Sequence, residues 1–146
     1  MYSLKHFQVY ELVPPEIYAK MGSQALSLFD EKALMMLDNF RDFVGKPVVI
    51  NNWHAGGPFA HRGWRSLGDE MKANPNSKGH SAHQAGEAFD ADVQGMTAEE
   101  VRKKILDDIN NPLTDLINRL EGLVTWVHFD HLSLPLGTGR IHVFTS

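Results

Sequence analysis

Three residues of this chain have the types and spacing to hold a metal ion: His83, Asp90 and His128. Imidazole nitrogen and carboxylate oxygen are both ordinary zinc donors. A catalytic zinc takes three protein ligands and leaves a fourth position for water. The first two lie in Ser81-Ala82-His83-Gln84-Ala85-Gly86-Glu87-Ala88-Phe89-Asp90, the third in Trp126-Val127-His128-Phe129-Asp130. His83 and Asp90 are separated by an odd offset, so on one continuous strand they would face opposite ways. The chain must turn between them, and Gly86 is the residue best able to turn it. From Glu87 onward the pattern alternates. Phe89, Ala91 and Val93 share one side, while Ala88, Asp90 and Asp92 share the other, which predicts a strand over 87–93 with a core face and a carboxylate face.

A lone histidine is more often a hydrogen-bonded structural residue than a ligand. His6, His54, His61 and His80 are read that way, and His131 and His142 are kept only as supports behind the ligands. His83, Asp90 and His128 would together make a three-ligand zinc set. Such a site would acidify water and polarise a carbonyl, the two requirements of peptide hydrolysis. Asp130 shares the His128 side of its strand, which makes it one candidate for the general base that reaction needs.

The elements that must position these residues follow from the rest of the chain. A length of 146 residues suits one domain, 1–146, large enough for a core without staples. There is no cysteine, so a disulfide framework or thiolate site is excluded and any transition-metal site must use histidine and carboxylate. The formal net charge of -4 provides no broad basic surface, which argues against nucleic acid as the main partner. No long apolar run or signal-peptide pattern opens the chain. A membrane span is not expected, and synthesis in the cytoplasm without an export signal is.

Pro14-Pro15 predicts a short helix from about Glu16. Asp30 is a good N-cap for a helix through Val44, with Leu34, Leu37, Phe40 and Val44 on one face, and Gly45 and Pro47 end it. Val48-Val49-Ile50 predicts a short buried strand. Residues 51–82 have no sustained period, although Leu67 to Met71 fits a helical turn; a stretch of that kind is usually functional. Thr97-Ala98-Glu99-Glu100 is a capping box, and Val101, Ile105 and Ile109 give the next helix its stripe. Asn111-Pro112 predicts a further short helix with Leu113, Leu116, Ile117 and Leu120 inside and Gly122 at its end. A strand is expected over 123–132, with Trp126, His128 and Asp130 on one side. Gly137-Thr138-Gly139 then turns into a last strand over 140–145.

The motif residues also carry a resemblance. Ser81-x-His83-x-x-Gly86-x-Ala88-x-Asp90 resembles the S-x-H-x-x-G-x-A-x-D signature of the zinc D-Ala-D-Ala carboxypeptidases. Trp126-x-His128 resembles the W-x-H signature of their superfamily, which includes phage endolysins, other peptidoglycan peptidases and the hedgehog signalling domain. Leu12-Val13-Pro14, Lys46-Pro47-Val48-Val49-Ile50-Asn51-Asn52-Trp53 and Arg62-Gly63-x-Arg65 look like small phage and prophage members.

The resemblance implies an α+β fold of the hedgehog/D-Ala-D-Ala peptidase kind, its antiparallel sheet carrying Zn2+ on His83, Asp90 and His128, with helices packed behind. It implies a metallopeptidase acting on peptidoglycan peptides, phage or prophage encoded and released to the wall by lysis or carried in a virion. The alternative is a virion or tail component that keeps the zinc-stabilised fold and hydrolyses nothing. Gly63-Trp64-Arg65-Ser66 resembles the G-Y-R-S segment whose arginine faces substrate, which points to Arg65, with Arg62 second, as the group that binds a carboxylate or carbonyl. Ser81 is expected to hold the ligand loop by hydrogen bonding. Relatives keep their base as an acid three positions, or a histidine two positions, before the last ligand; here those positions hold Thr125 and Trp126. The hedgehog domain's acid points instead to Glu121, at the end of the predicted helix, and Asp130 stands beside it as the other candidate.

Overall fold

Phe40 stacks on Phe129 with ring centroids 4.3 Å apart, and Phe89 lies 6.0 Å from Phe129, so helix and sheet meet on one aromatic seam. The structure, a computed structural model, describes residues 2–134, 137 and 139–146. Among these residues it is an α+β fold with four α-helices and a mixed five-stranded sheet. The helices are α1 (Pro15–Met21), α2 (Glu31–Val44), α3 (Leu67–Ala73) and α4 (Ala98–Asp107). The strands are β1 (Val48–Val49), β2 (Ala88–Val93), β3 (Arg119–Glu121), β4 (Val127–Asp130) and β5 (His142–Phe144).

The helices begin where the caps predict. The Asp30 side chain accepts a hydrogen bond from the Lys32 amide at 3.2 Å, and α2 ends as Gly45 enters the left-handed region at φ 63°. Thr97 and Glu100 form a reciprocal capping box on α4, and Ser66 with Asp69 does the same on α3. Leu34, Leu37, Phe40 and Val44 of α2 are all buried against the sheet, together with Phe89, Ala91, Val127 and Phe129. Each such large apolar side chain contributes about 1.5–3 kcal/mol on burial.

The strands run in the order β1-β2-β4-β3-β5. β2 pairs antiparallel with β4, with Asp90 opposite His128 and Ala88 opposite Asp130. β3 pairs antiparallel with β4, but β5 runs parallel to β3, so the sheet is mixed where an antiparallel one was expected. β4 already has β2 and β3 on its two sides. A hairpin return is therefore blocked, and the chain after β4 must cross over to the outer side of β3. The last strand is shorter than expected, and Thr138 of the expected turn before it lies outside the described residues.

Two further expectations fail around residues 111–126. The helix expected after Asn111-Pro112 is one 3-10 turn at Pro112–Thr114, and Arg119–Glu121 is strand. The strand expected over 123–132 is confined to Val127–Asp130, and Leu123 occupies the left-handed region at φ 61°. Helix propensity differs by less than about 0.7 kcal/mol per residue among ordinary side chains. Against that stands the buried Asp130 carboxylate, fully enclosed and paired with Arg119 of β3 at 2.8 Å. Removing one partner of a buried pair costs about 3–5 kcal/mol, so the tertiary demand prevails over the local helical period.

Candidate metal centre

His83 is placed by a close-packed turn. Ser81 accepts a hydrogen bond from the His83 amide at 3.1 Å, the role expected of it, and the Gly86 amide donates to the His83 carbonyl at 3.2 Å. Gly86 has φ 71°, and a Cβ there would collide with the Leu28 carbonyl oxygen, so no other residue fits without displacing the segment before α2. Residue 63 is equally constrained. Gly63 lies against the Leu12 backbone with no room for a Cβ, and its carbonyl accepts from His83 Nδ1 at 2.8 Å. That bond turns His83 Nε2 toward Asp90, 3.3 Å from its Oδ2.

Asp90 and His128 face each other across β2 and β4. His128 Nδ1 lies 2.8 Å from Asp90 Oδ1, while its Nε2 lies 2.8 Å from Asp130 Oδ2. The two histidines and Asp90 are all buried, and their candidate donor atoms lie within 4.8 Å of one another. The group could therefore hold a metal ion. Its chemistry fits zinc, since one carboxylate and two imidazoles are ordinary zinc donors and each ring has an outer partner that fixes its orientation. Gly63 serves His83 in this way, and Asp130 serves His128.

The electrostatics of the cluster follow from burial and partners. Burial raises the Asp90 pKa, but the facing His83 and the hydrogen bonds from His128 and His83 outweigh it and hold the carboxyl far below its usual range. For His128 burial disfavours the charged ring, yet hydrogen bonds to Asp130 and Asp90 raise its pKa to about 9. The two carboxylates thus favour the charged form of the ring. Burial also opposes ionisation of Asp130, and the bonds from His128 and Arg119 lower its pKa nonetheless.

The cluster forms the floor of a cleft of about 830 Å³. Glu121, Trp126, Lys78, His80, Arg119 and Phe144 stand around it. Glu121 is on β3 rather than at a helix end, so no helix dipole acts on it. Continuing the β3–β4 register, which sets Arg119 opposite Asp130, places Glu121 opposite His128 on the ligand face. Its Oε1 accepts from the Ser146 hydroxyl at 3.1 Å.

Asp130 is enclosed by bonds. Its oxygens accept from Arg119, from His128 and from the Leu132 amide at 3.1 Å, with no surface exposed. Arg65 lines the cleft, and its Nε, Nη1 and Nη2 donate to the His61 carbonyl at 2.6 Å, Glu70 at 2.8 Å and Asp90 at 3.2 Å. Arg62 is not among the cleft residues. Its guanidinium lies 3.6 Å above the Phe59 ring and 2.9 Å from Asp92.

Sequence reasoning missed Glu70 and Arg119, the partners that fix Arg65 and Asp130. Glu70 sits in the first turn of α3, where acids are common for helix-end reasons and so carry no signal of a site. Arg119 has even spacing to Glu121, a strand signal concealed by the helical period of the neighbouring leucines. No family model, no curated protein and no solved structure matches this chain.

Proposed function

We propose that the chain is a zinc-dependent peptidase of the D-Ala-D-Ala carboxypeptidase and hedgehog group, phage or prophage encoded, that hydrolyses peptide bonds of peptidoglycan. The observation that carries this reading is the convergence of buried His83, Asp90 and His128 at the floor of a cleft with Glu121 beside them. His83, Asp90 and His128 would hold the zinc, which when bound would supply a Lewis acid for lowering the pKa of water and polarising a peptide carbonyl.

The chain's own groups do the rest. Glu121, opposite His128 and open to the cleft, accepts the proton of the attacking water and returns it to the leaving amine. Asp130 orients His128 rather than moving protons, because every approach to its carboxylate is filled by a donor. Arg65 aligns Asp90 through Oδ2 and turns its remaining surface to the cleft, within reach of a substrate carboxylate or carbonyl. Trp126 and Phe144 form an apolar wall, and Lys78 and Arg119 add positive charge for an anionic peptide.

A zinc-stabilised virion or tail component is the second reading. The ligand set itself favours it: His83 on a turn, Asp90 on β2 and His128 on β4 would be tied together by one ion, whether or not turnover follows. Digestion of purified peptidoglycan by the zinc-loaded protein, with mass spectrometry of the released ends, separates the two. New amino and carboxyl ends are expected, and Glu121→Gln should lower turnover by about two to four orders of magnitude with zinc still bound. Zinc-loaded protein that cleaves no wall peptide would leave only the structural reading.

A further inference from the structure

Arg102 lies on α4, outside the cleft, and only 6% of it is exposed. Its Nη1 donates to the carbonyls of Trp126 at 3.2 Å and Glu121 at 3.4 Å, and its Nη2 donates to that of Val124 at 3.0 Å. The same guanidinium meets Glu99 at 3.0 Å, a carboxylate mostly in solvent. The three carbonyls belong to Glu121, Val124 and Trp126, the residues of the 121–126 turn between β3 and β4 that line the cleft. We propose that Arg102 is a positioning residue: by gathering these carbonyls behind the sheet it aims Glu121, Val124 and Trp126 into the cleft.

The physical argument starts from what else could hold the turn. Leu123, at its tip, has φ 61° and is 90% exposed. A branched side chain in the left-handed region is strained, and such backbone persists only where its surroundings enforce it. The Leu123 side chain packs on too little to supply that force. The hydrogen bonds of Arg102 supply it, together with the Gly122 amide, which donates to the Phe144 carbonyl at 2.7 Å. Fixing a carbonyl fixes the peptide plane that follows its residue, and so restricts the backbone from which that side chain projects. A guanidinium suits this task because its five donors lie in one rigid plane, whereas an ammonium on a flexible stem reaches fewer acceptors at once. The Glu99 contact contributes little, since water screens an ion pair to an exposed carboxylate.

The kinetic consequence rests on the peptidase reading, whereas the geometric one does not. The test therefore has two arms. Protein carrying 5-fluorotryptophan has three fluorine resonances, for Trp53, Trp64 and Trp126, with Trp126→Phe identifying the third. In Arg102→Gln the Trp126 resonance should shift or split while those of Trp53 and Trp64 stay in place, with zinc content near that of the parent. Arg102→Lys, which keeps the charge and part of the donor set, should move it less. On wall peptide, Arg102→Gln should lower kcat about a hundredfold, the scale of an ångström-sized misplacement, and Arg102→Lys should restore part of it. If Arg102→Gln fails to fold, Arg102→Lys alone decides. An unmoved Trp126 resonance, or all three moving together in a folded variant, overturns the proposal. A shifted Trp126 in a protein that cleaves nothing supports the positioning role and refutes only the peptidase reading.

Discussion

Two carboxylates of this protein, Asp38 and Asp130, are completely buried, and their surroundings differ in kind. Asp38 of α2 accepts from the Tyr2 hydroxyl at 2.7 Å and from the amides of Lys5 and His6 at 2.8 and 3.2 Å. All three donors are neutral, and all belong to the first residues of the chain. Asp130 of β4 accepts from a guanidinium and an imidazole, and the other nitrogen of that imidazole points at Asp90 beside a cleft. The first arrangement fastens a segment to a helix. The second relays orientation and charge to a group that can bind something else. Burial of a carboxylate therefore does not mark a site; what its donors do with their remaining valence does.

The largest effect is expected where the relay ends. His83→Ala, Asp90→Ala and His128→Ala should each remove the zinc, measured by elemental analysis of purified protein against about one ion per chain in the parent. Stoichiometric zinc in all three variants would remove the site from consideration.

One step back, Asp130→Asn keeps the volume but puts an amide against Arg119 and His128. It should weaken zinc affinity about 10- to 100-fold in competition with a chromophoric chelator, as loss of a ligand's outer partner typically does. Asp38→Asn should leave that affinity unchanged while lowering stability by about 1–3 kcal/mol in urea unfolding, the scale of hydrogen bonds to a charged group. Equal effects of the two substitutions on zinc binding would break the contrast.

The smallest effect concerns the Asp38 nest alone. Burial, the hydrogen bond to Asp38 and the charges of Asp38 and Asp42 push the Tyr2 hydroxyl from 10.0 up to about 12. A group whose pKa is raised on folding contributes stability that is fully present below its unfolded pKa and is lost as pH rises through the folded value. The parent should therefore lose stability between pH 10 and 12. Tyr2→Phe, less stable at neutral pH, should show a flatter curve across that window in pH-dependent urea unfolding. Parallel curves for the two proteins would show that the tyrosine proton is not coupled to folding.

The amino-acid sequence alone determined the features whose energies are local. Asp30, Thr97 and Gly45 mark helix ends because a cap satisfies backbone groups within one turn, and the alternation from Glu87 sorts Asp90 from Phe89 because side chains alternate on any strand. The His83, Asp90 and His128 group that could hold a metal ion was legible for the same reason, with Gly86 supplying the turn that the odd offset between His83 and Asp90 requires. Tertiary structure alone decided the partners. Arg119 became strand because β4 had an open side and a buried carboxylate to pair, against a leucine period that reads as helix. β5 runs parallel to β3 because both sides of β4 were already taken. Arg65 turned to Glu70 and Asp90, and Arg62 turned away to Asp92, although both precede the motif in similar company. Which acid a cation meets depends on which elements pack together, and no local spacing carries that information.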